Sequence, residues 1–147
     1  MSAMPKTTAL RRALRSGCLA MPGAFNAATA RLIERAGFPA VYISGAGLAN
    51  ATAGVPDIGL LTSDEVAKLA GYIADAVTVP TLLDADTGFG AVQNVARAIR
   101  QFERAGIAGI HIEDQTFPKR CGHVAGKTLV EPAEMADKIR AALAART

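Results

Sequence analysis

A repeated pattern is the feature of this sequence that most constrains its fold. Residues 34–44 read ERAGFPAVYIS, and residues 103–113 read ERAGIAGIHIE. In each copy a glycine follows a charged helical end, as is common just after a helix, and an apolar strand comes after a short turn. The repeat therefore predicts two helix–strand units of the same architecture.

Further elements alternate in the same way along the chain. LAMPG (19–23) has the composition of a first strand, and VTVPTLLDAD (77–86) that of a third. The helical segment TSDEVAKLAGYIADA (62–76) precedes the latter, with Thr62 or Ser63 as its N-cap. A last helix is expected to begin near Pro132. Strict alternation of strands and helices predicts a parallel sheet with right-handed crossovers.

Two α/β architectures contain such units, a doubly wound open sheet and a (β/α)₈ barrel. The segment SGAGLANATAG (44–54) lacks the glycine spacing of a dinucleotide-binding loop, which favours the barrel. A complete barrel needs about 250 residues, whereas this chain has 147. We therefore predict one domain, residues 1–147, built of parallel β/α units as the N-terminal half of a (β/α)₈ TIM-type barrel.

Composition excludes several classes of partner. The net charge is only +3, and the basic residues are scattered with no aromatic residues between them, so no nucleic-acid partner is expected. No apolar run is long enough to span a bilayer, so no membrane partner is expected either. Two cysteines without a CxxC motif favour a reducing compartment, and we expect a cytoplasmic protein. The Arg-bearing start, otherwise read as an amphipathic helix with Leu10 and Leu14 on one face, leaves the mitochondrial matrix as an alternative.

Polar side chains are concentrated at the carboxyl ends of three predicted strands. The two-residue period of a strand places them in pairs on one face, namely Tyr42 with Ser44, Asp84 with Asp86, and His111 with Glu113. The repeat aligns Tyr42 with His111 at the same height. Carboxyl ends of the strands are where barrel enzymes build their active sites.

The three carboxylates would repel one another unless a cation lies between them, and no lysine lies within these strand ends. An all-oxygen ligand set favours Mg²⁺, with Mn²⁺ as an alternative. The competing interpretation is that Asp84 or Asp86 merely caps the helix that follows GFG.

A long connection follows Glu113 and contains KRCGH (119–123). A long βα connection without regular structure is often functional. The cations flanking Cys121 favour a reactive thiol over a buried, inert one. With 2 Cys and 2 His in the chain, a closed four-ligand zinc site is not expected.

Three motifs together carry a family resemblance: YISGAG (42–47), DADTGFG (84–90) and GIHIEDQTFPKRCGH (109–123). With them, the chain from about Leu19 to its last helix resembles the isocitrate lyase/phosphoenolpyruvate mutase superfamily, most closely its methylisocitrate lyase and 2,3-dimethylmalate lyase branch. EDQ combined with KRCGH is the specific signal, because YISGAG alone would be weak.

The resemblance implies a Mg²⁺-dependent carbon–carbon lyase. Its substrate would be a small 2-hydroxy di- or tricarboxylate, cleaved to a 2-oxo acid such as pyruvate and a succinate-like acid. Asp86 would contact the metal, and Asp84, Glu113 and Asp57 would hold its waters. Cys121 would protonate the departing acid. The remaining residues implied in substrate binding are Tyr42, Ser44, Gly45, Ala46, Gly122 and His123.

Two departures from the family pattern leave alternatives open. Ala46 stands where many of these lyases have a second glycine, and the chain has about half a family member's length. We therefore expect the chain alone to be inactive, and to act as a homo-oligomer or with a complementing half-barrel. The alternatives are an inactive half-barrel that binds metal or a partner chain, and an oxaloacetate- or phosphonopyruvate-processing relative.

Overall fold

The computed structural model describes residues 4–147, which form a sheet of four parallel strands covered by helices. The strands follow one another in the sheet in chain order, β1-β2-β3-β4. The elements are α1 (Lys6–Arg15), β1 (Gly23–Ala24), α2 (Ala27–Arg35), β2 (Val41–Ile43), the short α3 (Gly45–Gly47) with a π-helix (Leu48–Ala53), α4 (Ser63–Asp75), β3 (Thr81–Asp84), α5 (Val92–Arg104), β4 (Gly109–His111) and α6 (Pro132–Ala145).

The repeated ERAG segments end two helices in the same way. After α2 the amide of Phe38 donates to the carbonyl of Ile33, and after α5 the amide of Ile107 donates to that of Phe102. Gly37 and Gly106 supply the left-handed turns that these contacts require, with φ of 86° and 81°. The predicted helix–strand units are therefore confirmed.

The core lies between the sheet and its helices. Val41, Ile43 and Leu83 are completely buried on the helix-facing side of β2 and β3. Phe102 on α5 is 1% exposed and belongs to the same cluster. Tyr42 and Leu82 alternate with these residues and are only half-buried, so they lie on the opposite face. That face is the one on which the polar strand-end residues project.

Two details of the predicted strands are wrong. The first strand is not LAMPG but Gly23–Ala24, at the end of that segment and just beyond it. In the sheet, Tyr42 pairs through Leu82 with Gly109, whereas His111 pairs with Asp84. His111 therefore lies two residues further along the sheet than the repeat suggested. A sequence repeat aligns residues within units, but it does not contain the stagger between hydrogen-bonded strands.

The N-terminal helix α1 is anchored to the body of the fold by two residues. The ammonium of Lys6 donates to the carbonyls of Ala74 and Val77, at 2.6 and 2.7 Å, just where α4 ends. Leu10 is 4% exposed and packs so closely on Gly109 that a Cβ there would lie 2.8 Å from the leucine side chain. Leu14, expected on the same packed face, is instead 52% exposed.

An apolar groove of about 840 Å³ lies beside β4, between α1, α5 and α6. Leu82, Gly109 and Ile112 contribute to its lining. Within residues 4–147, β4 has β3 on one side and no strand on the other. Among these residues, no helix combines the length and apolar character that crossing a bilayer requires.

Replacing Thr62 by alanine is expected to lower the free energy of unfolding by about 1 kcal/mol. Thr62 caps α4 by accepting from the amide of Glu65, whose carboxylate in turn accepts from the Thr62 amide at 2.8 Å. Urea unfolding followed by circular dichroism measures the loss. Lys68→Met, on the exposed face of α4, is the control and should change the free energy of unfolding by only a few tenths of a kcal/mol. Equal effects for the two variants would contradict the assignment.

Candidate active site

Four carboxylates converge at the carboxyl ends of the strands. They come from Asp57 in the turn before α4, Asp84 at the end of β3, Asp86 two residues later, and Glu113 beyond β4. The convergence of Asp84, Asp86 and Glu113 was predicted from the strand period. Asp57 was implied by the family resemblance alone, and the structure places it in the same cluster.

The cation among these acids is Lys119, which comes from the long loop after β4. Its ammonium lies 2.7 Å from Asp86, 2.8 Å from Asp57 and 3.4 Å from Glu113, and its side chain is only 1% exposed. No lysine lies within the strand ends themselves, and Lys119 was not predicted to neutralise these acids. The lysine is distant in sequence from two of its three partners, and no local pattern indicates the contact.

Asp84, the fourth acid of the cluster, pairs with His111. The carboxylate lies 3.3 Å from Nε2 of the imidazole. The imidazole also stacks on the Tyr42 ring, with centroids 5.7 Å apart and an interplanar angle of 7°. His111 was predicted to share a face with Glu113, but its role as the partner of Asp84 was not predicted.

This arrangement separates the pKa values of the acids. Burial raises the pKa of Asp86 and of Glu113, although Lys119 opposes the shift in both. Burial also acts to raise the pKa of Asp84, but the hydrogen bond and charge of His111 outweigh it and hold that pKa below its usual value. The hydrogen bond to Asp84 in turn raises the pKa of His111. Perturbed acids in one cluster are typical of functional sites.

The segment after β3 holds Asp86 in an unusual backbone conformation. Asp86 has a φ of 45°, which few residues other than glycine adopt. Its amide donates to the Asp84 carboxylate at 3.2 Å. The helix that follows has Ala91 at its N-cap with no side-chain cap, so the interpretation of either aspartate as a helix cap is wrong. Strained residues of this kind cluster at active sites.

The residues implied in 2-oxo acid binding lie at the end of β2. Ser44 caps α3, its hydroxyl oxygen accepting from the Gly47 amide at 3.0 Å. Gly45 and Ala46 are in the first turn of α3, where amide N–H groups have no partner within the helix. A Cβ on Gly45 would lie 3.0 Å from the Asp84 carboxylate, so this backbone passes directly beside the acids.

Cys121, Gly122 and His123 lie together in the loop between β4 and α6. Cys121 is a free, half-buried cysteine, while Gly122 and His123 are exposed. Of the expected flanking cations, Lys119 is directed into the acid cluster, and Arg120 donates to the carbonyl of Ala125 at 3.4 Å. The loop therefore brings the thiol to the same end of the sheet as the carboxylates.

The residues fit a divalent cation. Asp84, His111 and Glu113 each offer a ligand atom, and these atoms lie within 4.8 Å of one another. One oxygen of Asp86 is buried without a properly oriented hydrogen bond, its contact with Lys119 being an ion pair. The all-oxygen set expected from the sequence therefore has an imidazole within reach of its oxygens.

Comparison with known proteins agrees with the motifs. Residues 10–147 match the family model described as phosphoenolpyruvate phosphomutase. The chain belongs to this family. It is 52% identical over 125 residues to a 2-methylisocitrate lyase of Aeropyrum pernix, and the alignment covers 85% of this chain and 40% of the relative. It is 49% identical over 125 residues to a 2,3-dimethylmalate lyase of Eubacterium barkeri, and this alignment covers 85% of the chain and 43% of that relative.

Solved structures give the same result for the fold. A crystal structure of 2,3-dimethylmalate lyase, described as a member of the PEP mutase/isocitrate lyase superfamily, aligns with a TM-score of 0.90 and 40% identity over 98% of this chain and 49% of the other. A phosphonopyruvate hydrolase in complex with oxalate and Mg²⁺ aligns with a TM-score of 0.84 and 40% identity over 98% of this chain and 49% of the other. The superfamily resemblance and the parallel β/α fold of a barrel-type enzyme are confirmed. The chain spans about half the length of these relatives.

Replacing Asp84 by asparagine should lower the pKa of His111 towards or below its ordinary value of 6.5. Asp84 is the main cause of the raised value, and the amide removes its charge. NMR titration of the His111 imidazole, in the native chain and in the variant, measures the change. An unchanged His111 midpoint in the variant would contradict the pairing.

The same pair gives a pH dependence of stability with a definite sign. The pKa of His111 is raised in the folded chain. Its contribution to the free energy of unfolding is therefore complete below pH 6.5 and is lost as the pH rises through the folded-state pKa. The folded pKa of Asp84 is lowered, so its contribution is complete above 3.8 and is lost as the pH falls through the folded value. The stability difference between the native chain and Asp84→Asn should therefore be largest between these two values.

Proposed function

We propose that this chain carries the metal-binding and proton-donating residues of a carbon–carbon lyase. Its substrate class would be a small 2-hydroxy di- or tricarboxylate, cleaved to a 2-oxo acid and a succinate-like acid. The observation that carries the proposal is the joint placement of the strand-end carboxylates and the Cys121 loop at one end of the sheet. Names of the similar lyases support it.

Asp84, Asp86, Glu113 and Asp57 would hold Mg²⁺, directly or through water, with Mn²⁺ as the alternative ion. When bound, the ion supplies a Lewis acid that favours the 2-alkoxide and polarises the developing carbonyl. The Mg²⁺ and oxalate in the similar phosphonopyruvate hydrolase support this choice of ion and of a small carboxylate ligand. His111 orients Asp84 through the 3.3 Å contact, and so fixes the carboxylate at the end of β3.

Cleavage releases one fragment as a strongly basic carbanion equivalent, which must receive a proton as the bond breaks. We assign this donation to the Sγ–H of Cys121, whose loop lies at the metal end of the sheet. Gly122 and His123 would bind the carboxylate of this fragment. The exposed position of both residues leaves them open to a ligand.

The 2-oxo acid would lie against the end of β2. The free amides of Gly45 and Ala46 can donate to its carboxylate, and the Ser44 hydroxyl can donate while its oxygen accepts from Gly47. Tyr42 forms the apolar wall beside His111. Burial, and then the charge of Asp84, raise the pKa of the phenol, so Tyr42 acts here as a neutral group.

Two other activities remain as alternatives. Similar structures include the phosphonopyruvate hydrolase and an oxaloacetate acetylhydrolase, the latter with a TM-score of 0.90 and 34% identity. Both have the same fold as this chain, so the fold alone does not distinguish their activities from that of a lyase. The thiol at position 121 favours the lyase, because a cysteine in this loop as proton donor belongs to the lyases of the superfamily that the motifs resemble.

Other strands of a barrel would complete the site. The apolar groove beside β4 has the position at which a further parallel strand would pair. We propose that it pairs with a complementing half-barrel or a second copy, and that the chain alone turns over no substrate because the substrate clamp is incomplete. Sedimentation of the chain, with a pyruvate and glyoxylate release assay, measures both. A stable monomer with lyase turnover would contradict the proposal.

Variants of Asp86 and Cys121 should distinguish metal binding from turnover. Asp86→Ala is expected to lower Mg²⁺ affinity at least about tenfold, since a carboxylate of the cluster is lost. Cys121→Ser should leave that affinity unchanged. Titration calorimetry with Mg²⁺ measures both variants on the chain itself. Unchanged affinity in Asp86→Ala would refute the metal assignment.

Turnover can be tested in a chimera. Residues 1–147 would replace the matching portion of the Aeropyrum pernix 2-methylisocitrate lyase, whose remaining part completes the barrel. The chimera should release pyruvate from 2-methylisocitrate, and both Asp86→Ala and Cys121→Ser should reduce kcat by about 100-fold or more. The exposed Cys18→Ser is the matched control. Full turnover of the Cys121→Ser chimera would exclude the thiol as the proton donor.

A further inference from the structure

The loop between β4 and α6 is held against the site by contacts at its first half. Phe117 lies over Gly59 in the turn before α4, so closely that a Cβ there would be 2.8 Å from the ring. Lys119 then enters the acid cluster and is 1% exposed. The second half, residues 122–129, is exposed throughout. The contacts that hold the loop, including the buried one of Lys119, therefore lie immediately before Cys121.

Lys119 joins the loop to three separate parts of the fold. Asp57 comes from the segment between β2 and α4, Asp86 from two residues beyond β3, and Glu113 from two residues beyond β4. A single ammonium within 3.4 Å of all three carboxylates fixes one position of the loop relative to all of them. A buried ion pair of this kind often contributes specificity of position more than net stability.

Gln115 holds the neighbouring backbone. This side chain is 4% exposed. Its amide nitrogen donates to the Arg120 carbonyl at 2.9 Å, and to Glu113 at 3.0 Å, while its oxygen accepts from the Arg120 amide at 3.0 Å. Both backbone polar groups of Arg120, the residue directly before Cys121, are thus bound by one buried side chain.

From these contacts we infer that Gln115 and Lys119 form a clasp that positions the Cys121 thiol. The clasp is a pair of positioning residues, because both act through the backbone before Cys121. This inference rests on the proposed role of Cys121 for its meaning in the reaction. The clasp itself is defined by contacts alone, and it can be tested without substrate or metal.

The test measures how open the loop is in the chain itself, with EDTA present. Iodoacetamide alkylation is followed separately at Cys121 and at the exposed Cys18, which serves as the internal reference. Hydrogen exchange of the amides at 119–124 is measured in parallel. The variants are Lys119→Met, which keeps the length of the side chain and removes its charge, and Lys119→Arg, which keeps the charge.

Lys119→Met should raise the alkylation rate of Cys121 relative to Cys18 by about tenfold or more, because three carboxylates lose their buried counter-charge and the loop leaves them. Exchange at 119–124 should rise with it. Lys119→Arg should keep most of the native protection of Cys121 from alkylation and of the amides at 119–124 from exchange. Lys68→Met makes the same charge change at an exposed position on α4 and should alter neither rate.

Gln115→Met provides a second variant, in case the loss of Lys119 prevents folding. It removes both bonds to Arg120 while filling a similar volume, and should raise Cys121 alkylation and exchange at 119–124 with thermal unfolding little changed. Unchanged Cys121 alkylation and exchange in folded Lys119→Met or, if that variant does not fold, in Gln115→Met, would overturn the clasp. Failure of the lyase assay would leave these measurements intact, so the two proposals fail separately.

Discussion

Charge compensation at the ends of the strands is the constraint on which the site depends. Four carboxylates, from the ends of β3 and β4 and from the turn before α4, project into one small volume, where like charges repel and burial disfavours ionisation. Lys119 offsets part of this charge by lying between Asp57, Asp86 and Glu113. The loop that carries it is consequently part of the site and not an appendage. In the proposed clasp, the position of Cys121 depends on the same interaction.

The sequence contains the fold in its local patterns. Each ERAG segment includes the glycine that a left-handed turn requires, and β2, the strand after the first segment, alternates buried and half-buried residues. Thr62 and Glu65 form the capping box at the start of α4, where Thr62 was one of two expected caps. These signals act over a few residues, which is why helix and strand order could be predicted from one sequence.

The contacts of the site were less predictable, because they join distant residues. The ion pair of Lys119 with Asp57 spans 62 positions, and no periodicity relates them. The pairing of His111 with Asp84 depends on the stagger between β3 and β4, which the sequence does not contain. The strand period did bring Asp84, Asp86 and Glu113 to one edge. What it could not supply was the cation among them and its direction of approach.

The remaining charge in the cluster argues for a further cation. Lys119 carries one positive charge against four carboxylates, so three negative charges remain when His111 is neutral and two when it is protonated. The Lys119 ammonium lies within 3.4 Å of Asp57, Asp86 and Glu113, whereas the ligand atoms of Asp84, His111 and Glu113 lie within 4.8 Å of one another. Glu113 contacts both groups. A divalent ion held by these acids, together with the ammonium, would therefore bring the cluster close to neutrality.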